Sequence, residues 1–330
     1  MQARADAHLP LFERIVPSVQ ALDFPAHCLD VNCCNSTHQD LQYEQSAWGA
    51  CVKRQREENL LGKVVIITGG SRGVGKQAAL DFARRGANVV LAARTVVADD
   101  ALPGSLDETV NQIESMGARA IAVPTDLANE ADLKGLVAAA ADYFGGVDVL
   151  INNAAATTGE IWSKRFLELS REEWLYQFAV NVHAPFTLMQ RVVPLMEQRG
   201  GGRIINLTTG CGEVFRLPEE PQKLQSVGTF SLDVPGYYAS KRALDRLGNA
   251  LAPDLGRRNI AVIGMHPGLV ATELVSIRVK NAGLDDSVAV PMTVPSRMLV
   301  YFACCENPME YTGRLFWAER EMAAMGIELD

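Results

Sequence analysis

The stretch VVIITGGSRGVGKQAALDFARRG, residues 64–86, decides the fold. Its first five residues form an apolar run of the length that a buried strand needs. Four glycines follow between residues 69 and 75, and KQAALDFARRG then spaces its apolar side chains as an amphipathic helix does. A strand that is apolar on both faces and turns directly into a helix is typical of a parallel α/β sheet.

The same alternation continues through most of the chain. Short apolar runs recur, and helix-length amphipathic segments lie between most of them. These runs are NVVLAA (88–93), AIAVPTD (120–126), VDVLINNA (147–154), GRIINLTT (202–209) and IAVIGMHPG (260–268). The pattern predicts an α/β domain over residues 60–330, a doubly wound parallel sheet with helices on both faces. Residues 1–59 lack the pattern, and we predict that they form an N-terminal extension of unknown role.

The composition excludes several classes of protein. The chain has 330 residues, of which 48% are hydrophobic, so it can bury a full core and is neither a disordered chain nor a small disulfide scaffold. Its net charge of −8 comes without a dense Lys/Arg stripe, so we expect no nucleic-acid partner. No apolar run approaches the roughly 18 residues that span a membrane. The N-terminus lacks the layout of a secretion signal, so we expect a cytoplasmic protein.

Cysteines cluster near the N-terminus, where His27 and His38 also lie. Thiolates and imidazoles bind zinc, so a metal site is conceivable there. The spacing lacks the paired C-x2-C units of zinc fingers, which favours reduced thiols and no metal. Four of the seven cysteines fall in this region, namely Cys28, Cys33, Cys34 and Cys51.

The glycine-rich turn predicts a dinucleotide site. Glycines let the backbone turn tightly and approach a pyrophosphate, and the N-terminus of the following helix offers free N–H groups to that anion. The strand before the turn and the helix after it supply the context that a glycine string alone lacks. The cofactor-binding residues predicted here are Thr68, Gly69, Ser71, Arg72, Gly73, Val74 and Gly75.

Two arginines favour NADP(H) over NAD(H). An acidic residue at the end of the second strand would bind a ribose 2′-hydroxyl, but this strand ends in Arg94, and the nearest acid is Asp99. Arg72 lies in the glycine loop on the same side. Two guanidinium groups suit a 2′-phosphate. The alternative is that both arginines are solvated surface residues.

The next strand ends carry further candidate cofactor residues. Asp126 could accept a hydrogen bond from an adenine amino group, with Leu127 beside it, or it could only begin the turn to a helix that Asn129 caps. Small residues after the fourth strand would let the cofactor lie across the sheet edge, although Asn152 and Asn153 could serve turn chemistry alone. The residues predicted at this end are Asn153, Ala154 and Ala155.

Tyr237 and Lys241 form a Tyr-x-x-x-Lys pair in GYYASKRAL. Positions four apart share one face of a helix. An ammonium group near a phenol favours the phenolate and lowers the pKa of the tyrosine from about 10 toward neutrality. Tyr237 is therefore a candidate general acid/base for a carbonyl or alcohol oxygen.

In this order the motifs resemble the short-chain dehydrogenase/reductase family. The matching pieces are TGGSRGVG, Asp126, NNAA, Asn181 in AVNVHAPF, IINLTTG, YYASK and HPGLVAT (266–272). The resemblance implies one Rossmann-type catalytic domain with a seven-stranded sheet, NAD(P)-dependent oxidoreductase activity and assembly as a homodimer or homotetramer.

The resemblance also implies roles for individual residues. Tyr237 is the acid/base, Lys241 holds the nicotinamide ribose and tunes the tyrosine, and Asn181 anchors a proton-relay water. Thr272 lies near the nicotinamide amide or the phosphates. The segment that packs on the nicotinamide includes Pro267, Gly268 and Val270.

The sequence departs from the family pattern in three places. Threonine replaces the usual serine after the fifth strand, and Thr209 is assigned as the catalytic hydroxyl, with a methyl group that crowds the pocket. An insertion at 210–236 is expected to shape the substrate cleft. The long loop DDALPGSLDE (99–108) is similar to that of hydroxysteroid dehydrogenase-like and citronellol dehydrogenase-like proteins.

These features predict an NADP(H)-dependent alcohol dehydrogenase or carbonyl reductase without a metal. The apolar and small residues after Thr272 indicate a lid over a moderately apolar secondary alcohol or its ketone or aldehyde. The alternative is a non-catalytic NADP(H)-binding sensor or scaffold.

Overall fold

The computed structural model describes residues 59–98, 103–156, 164, 166–209, 234–281 and 289–327. All of them belong to one compact unit, Val52–Asp330. The predicted extension, apart from Asn59, lies outside the described residues, and so does the insertion up to residue 233. The division into extension and catalytic domain therefore stays a prediction.

Seven parallel strands form one sheet in the order β3-β2-β1-β4-β5-β6-β7. This confirms the predicted doubly wound sheet. The strand order reverses between β1 and β4, which opens a crevice at the carboxyl ends of these strands. The strands are β1 (Val64–Thr68), β2 (Asn88–Ala93), β3 (Arg119–Pro124), β4 (Val149–Asn152), β5 (Gly202–Leu207), β6 (Ile260–His266) and β7 (Leu315–Trp317).

Helices cover both faces of this sheet, as predicted. On one face α3, α5 and α6 bury their apolar sides against β1, β4, β5 and β6, whereas α1 packs against α8 on the other face. The helices are α1 (Gly73–Arg84), α2 (Leu106–Ser115), α3 (Glu130–Phe144), α4 (Arg171–Phe178), α5 (Ala184–Gln198), α6 (Pro235–Arg257), α7 (Glu273–Asn281), α8 (Thr293–Cys304) and α9 (Ala318–Met325). A π-helical turn, Ala179–His183, joins α4 to α5.

Side-chain caps fix where several helices begin. The Asn129 side chain accepts a hydrogen bond from the Ala131 N–H, which confirms the predicted cap of α3. Ser170 and Glu173 form a capping box at the start of α4. The helix α1 is different, because its N-cap residue Arg72 makes no capping hydrogen bond with its side chain.

The described residues contain no membrane-spanning helix and no metal-binding cluster. None of the helices in these ranges is long and apolar enough to cross a membrane. Within the same ranges, no group of three or more His, Cys, Asp or Glu side chains could hold a metal ion. The N-terminal cysteines lie outside these residues.

Candidate active site

A cleft of about 260 Å³ opens at the carboxyl ends of β1 to β4. Most of the predicted cofactor residues line it. These are Gly69, Ser71, Arg72, Gly73, Arg94, Asp126, Leu127, Asn153, Ala154, Ala155 and Thr272. Sequence reasoning did not place Thr95, Val180 or Glu273 in this lining. Tyr176 lines the cleft.

The glycine loop is too tight for a side chain at Gly69 or Gly75. Gly69 has a φ of +71°, and a Cβ on Gly75 would lie 2.2 Å from the Gly69 carbonyl oxygen. Such a backbone crossing brings the loop onto the first turn of α1, where free N–H groups can hold a pyrophosphate. The loop therefore fits the phosphates of a dinucleotide.

Thr68 and Asn153 fasten this loop to the end of β4. The Thr68 hydroxyl oxygen accepts hydrogen bonds from the N–H groups of Asn153 (3.0 Å) and Ala154 (3.1 Å). The Asn153 side-chain amide donates to the carbonyl oxygens of Thr68 (2.7 Å) and Gly69 (3.3 Å). Asn153 therefore shapes the loop with its side chain, and its neighbour Asn152 donates to Asn206 across the sheet rather than forming a turn.

Both arginines of the predicted 2′-phosphate site are held by neighbours. Arg72 Nη2 donates to the Gly104 carbonyl oxygen (2.9 Å), and Arg94 Nη1 donates to the Tyr176 hydroxyl (3.0 Å). Within the described residues, the buried Nε of Arg72 has no hydrogen-bond partner. An unpaired guanidinium donor in the cleft suits an anionic ligand.

Asp126 takes part in the turn after β3. One of its carboxylate oxygens accepts from the Ala128 N–H (3.0 Å), and its own N–H donates to Asp132 (2.8 Å). The turn alternative is therefore present in the structure. A hydrogen bond to adenine stays a prediction.

Tyr237 and Lys241 lie one turn apart on α6. Lys241 is 2% exposed, its Nζ donates to the Leu207 carbonyl oxygen (2.7 Å), and Nζ lies 5.9 Å from the centroid of the Tyr237 ring. Burial lowers the pKa of Lys241 to about 8, against the opposing effect of the Asp245 carboxylate. The lysine therefore still carries its charge at neutral pH, close to the ring of Tyr237.

Both polar atoms of the Asn181 side chain form hydrogen bonds within the protein. Asn181 lies in the π-helical turn rather than in a regular helix, its Oδ1 accepts from the Ala156 N–H (2.9 Å), and its Nδ2 donates to Ser240 Oγ (2.9 Å). Ser240 in turn donates to the Tyr237 carbonyl oxygen (2.8 Å). Single π-helical turns occur often at functional sites. Here the turn connects the end of β4 to the helix that carries Tyr237 and Lys241.

Of the two threonines that follow β5, only Thr209 is partly exposed. Thr208 is 2% exposed, and its hydroxyl donates to the Lys241 carbonyl oxygen (3.5 Å). A hydroxyl that contacts a substrate has to reach the cleft, so the burial of Thr208 favours the assignment of Thr209.

The segment after β6 follows His266, which is neutral at pH 7. Burial lowers the pKa of His266 to about 4, and its Nδ1 accepts from the Gly268 N–H (3.2 Å). Gly268 adopts a φ of +90°, so the chain turns sharply beside Pro267. Val270 forms a parallel bridge with Val290, and the Thr272 hydroxyl accepts from the Val275 N–H (3.3 Å) at the start of α7.

The parallel sheet and the glycine-lined cleft define the class of dinucleotide-binding α/β proteins. A model of the family described as short chain dehydrogenase matches residues 63–219. An uncharacterized oxidoreductase of Thermotoga maritima is 32% identical over 268 residues, which are 78% of this chain and 96% of that protein.

Two solved structures are similar at TM-scores of 0.64. One is a 7α-hydroxysteroid dehydrogenase complexed with NADH and 7-oxo glycochenodeoxycholic acid, 27% identical, covering 79% of this chain and 94% of that one. The other is L-sorbose reductase from Gluconobacter frateurii complexed with NADPH and L-sorbose, 26% identical, covering 79% and 97%. The chain belongs to the short-chain dehydrogenase/reductase family and is an NAD(P)-dependent oxidoreductase.

Proposed function

We propose that this protein interconverts a moderately apolar secondary alcohol and its ketone or aldehyde, with NADP(H) as cofactor and Tyr237 as the acid/base. The observation that carries the proposal is the buried ammonium group of Lys241, 5.9 Å from the Tyr237 ring on the same helix. A charged lysine in such surroundings stabilises the phenolate that forms when the tyrosine gives up its proton.

Each residue of the proposed site acts on one oxygen atom or one proton. When bound, the nicotinamide supplies or accepts a hydride at the substrate carbon. In the reducing direction the Tyr237 hydroxyl donates its proton to the carbonyl oxygen, and the Thr209 hydroxyl donates a second hydrogen bond to that oxygen. Oxidation reverses these steps. Because the Asn181 side chain is engaged with Ala156 and Ser240, a water that resupplies the proton would bind the main chain of the π-helical turn.

The preference for NADP(H) rests on Arg72 and Arg94. Hydrogen bonds to Gly104 and Tyr176 hold these two guanidinium groups at the cleft, so little side-chain entropy remains to be lost when they bind a phosphate. The two solved relatives differ in this respect, since one was complexed with NADH and the other with NADPH. The arginines of this chain are therefore the basis of the proposal.

The substrate class rests on the lining that follows β6. The helix α7 begins at the cleft, and four of its nine residues are apolar, including Ile277 and the buried Val279. As a lid over the cleft, this helix suits an apolar ketone. Such a substrate resembles the ligand of the 7α-hydroxysteroid dehydrogenase more than the L-sorbose of the reductase. Membership of the hydroxysteroid dehydrogenase-like or citronellol dehydrogenase-like subgroup and a cytoplasmic location stay predictions.

We also propose assembly as a homodimer or homotetramer. Leu175 on α4 and Phe186 on α5 are 44% and 40% exposed, which suits helices that pack against a second copy.

A panel of aliphatic, aromatic, terpenoid and steroid ketones tests the function. Consumption of NADPH at a higher kcat/KM than NADH with at least one ketone supports the proposal, and the alcohol product of that ketone should reduce NADP. Tight NADPH binding without turnover on any ketone or alcohol would instead favour the sensor or scaffold.

A further inference from the structure

One acidic side chain from a distant part of the sequence binds the start of the helix that follows the glycine loop. Oε2 of Glu273 accepts a hydrogen bond from the backbone N–H of Gly73 (3.0 Å), across 200 residues of sequence. Gly73 is the first residue of α1, and Glu273 is the first residue of α7. Among the described residues, the Glu273 carboxylate makes this hydrogen bond and no ion pair.

Glu273 thereby takes the place of the missing cap of α1. The N-cap residue Arg72 makes no capping hydrogen bond with its side chain, so the first N–H groups of α1 depend on partners from elsewhere. The start of α7 lies directly on this terminus, because a Cβ on Gly73 would be 3.2 Å from Cγ2 of Thr272 and 3.7 Å from Oε2 of Glu273. The carboxylate therefore uses a donor at the end of the helix where the positive dipole is strongest.

A dinucleotide needs the same end of the same helix for its pyrophosphate. Two negative groups at one helix terminus repel each other, more strongly in a partly buried site, and Glu273 is half-buried in the lining of this cleft. We propose that Glu273 is an internal competitor for the pyrophosphate site, whose carboxylate must leave the Gly73 N–H when NADP(H) binds. It thus determines the cofactor affinity of this protein. The inference rests on the proposed function.

The competition predicts that a substitution inside the binding site raises the affinity for NADPH, whereas most such substitutions lower it. Glu273→Gln removes the negative charge and keeps the size of the side chain, so NADPH should bind more tightly. Removing one unit charge beside the pyrophosphate should lower the Kd of NADPH about tenfold at low salt. The gain should shrink as salt is added, because screening weakens the repulsion in the wild type.

The test compares the full-length wild type with Glu273→Gln and Glu114→Gln. Glu114 is exposed on α2, so its substitution makes the same change in net charge away from the cleft. NADPH is titrated by its fluorescence at low and at high ionic strength. Adenosine 2′-phosphate, which lacks the pyrophosphate, serves as the control ligand. Glu273→Ala is included as a second variant, and the thermal unfolding of each protein shows that it is folded.

We expect both Glu273 variants to bind NADPH more tightly than the wild type does. The difference in Kd between wild type and variants should become smaller as salt is added, and the Kd of adenosine 2′-phosphate should not change. Glu114→Gln should leave the Kd of NADPH within about twofold of the wild type. An equal or weaker NADPH affinity in folded Glu273→Gln, while the wild type binds, would overturn this inference and leave the proposed function standing. If neither the wild type nor any variant binds NADPH, the proposed function fails and this inference fails with it.

Discussion

The close crossing of the glycine loop can be tested by adding one methyl group. A Cβ on Gly75 would lie 2.2 Å from the Gly69 carbonyl oxygen and 2.6 Å from Nδ2 of Asn153, whereas ordinary contact begins at 3.4 Å. Neither atom can retreat by itself, because the first belongs to the main chain and the second is held by the Thr68 carbonyl oxygen. In Gly75→Ala, the loop must therefore move by about 1 Å, at a cost of about 1–3 kcal/mol of unfolding free energy.

Gly135→Ala provides the matched control. Gly135 lies inside α3, and a Cβ there would meet nothing within 4 Å. Alanine in a helix interior should raise the unfolding free energy by about 0.5–1 kcal/mol. The same methyl group is thus expected to have opposite effects at the two positions.

Urea unfolding and NADPH titration of the two variants measure these effects. Gly75→Ala should unfold at a lower urea concentration than the wild type and bind NADPH more weakly, because its displaced loop no longer fits the phosphates. Gly135→Ala should unfold at a higher urea concentration and keep the wild-type Kd. A Gly75→Ala variant with wild-type stability and wild-type NADPH affinity would refute the reasoning.

Three further predictions concern other parts of the site. Arg94→Ala should raise the Kd of NADPH about tenfold or more and leave the Kd of NADH nearly unchanged. If titrations showed the same loss of affinity for both cofactors, Arg94 would not bind the 2′-phosphate. Asn181→Ala leaves the Ala156 N–H and the Ser240 hydroxyl without their buried partner. The free energy of unfolding, measured by chemical denaturation, should therefore fall by about 2–4 kcal/mol. A fall of less than about 1 kcal/mol would contradict the structural role of these two hydrogen bonds. Burial lowers the pKa of His266 from 6.5 to about 4, so the unfolded chain binds more protons in this range and stability should fall as the pH falls from 6.5 toward 4, by up to about 3 kcal/mol. His266→Gln should lose this part of the pH dependence in urea unfolding, and an unchanged slope would exclude His266 as its source.

Local pattern was sufficient to predict much of the fold. The run at 88–93 coincides with β2, because a strand buried on both faces needs an uninterrupted series of apolar residues. The helix predicted from residue 76 begins three residues earlier, inside the glycine loop, where apolar spacing gives no signal. The seventh strand, Leu315–Trp317, is too short to be recognised by periodicity and was expected only from the family resemblance.

The parts of the site that local pattern missed depend on contacts between distant residues. Glu273 follows the HPGLVAT motif directly, yet nothing near it in the sequence indicates that it reaches Gly73. The hydrogen bond from Arg94 to Tyr176 likewise joins the end of β2 to α4. Tyr176 lies between Trp174 and Phe178, whose rings pack 5.0 Å apart, so the spacing of this cluster could not separate a cleft residue from packing residues.

The role of Tyr237 as acid/base is the central claim, and Tyr237→Phe tests it most directly. The substitution removes the hydroxyl and keeps the ring that lies 5.9 Å from the Lys241 ammonium group. The measurement is the rate of NADPH oxidation with the best ketone substrate in wild type and variant, together with the Kd of NADPH for each. We predict a fall in kcat of at least about a hundredfold with NADPH binding retained. A variant that binds NADPH and turns over at the wild-type rate would contradict the claim.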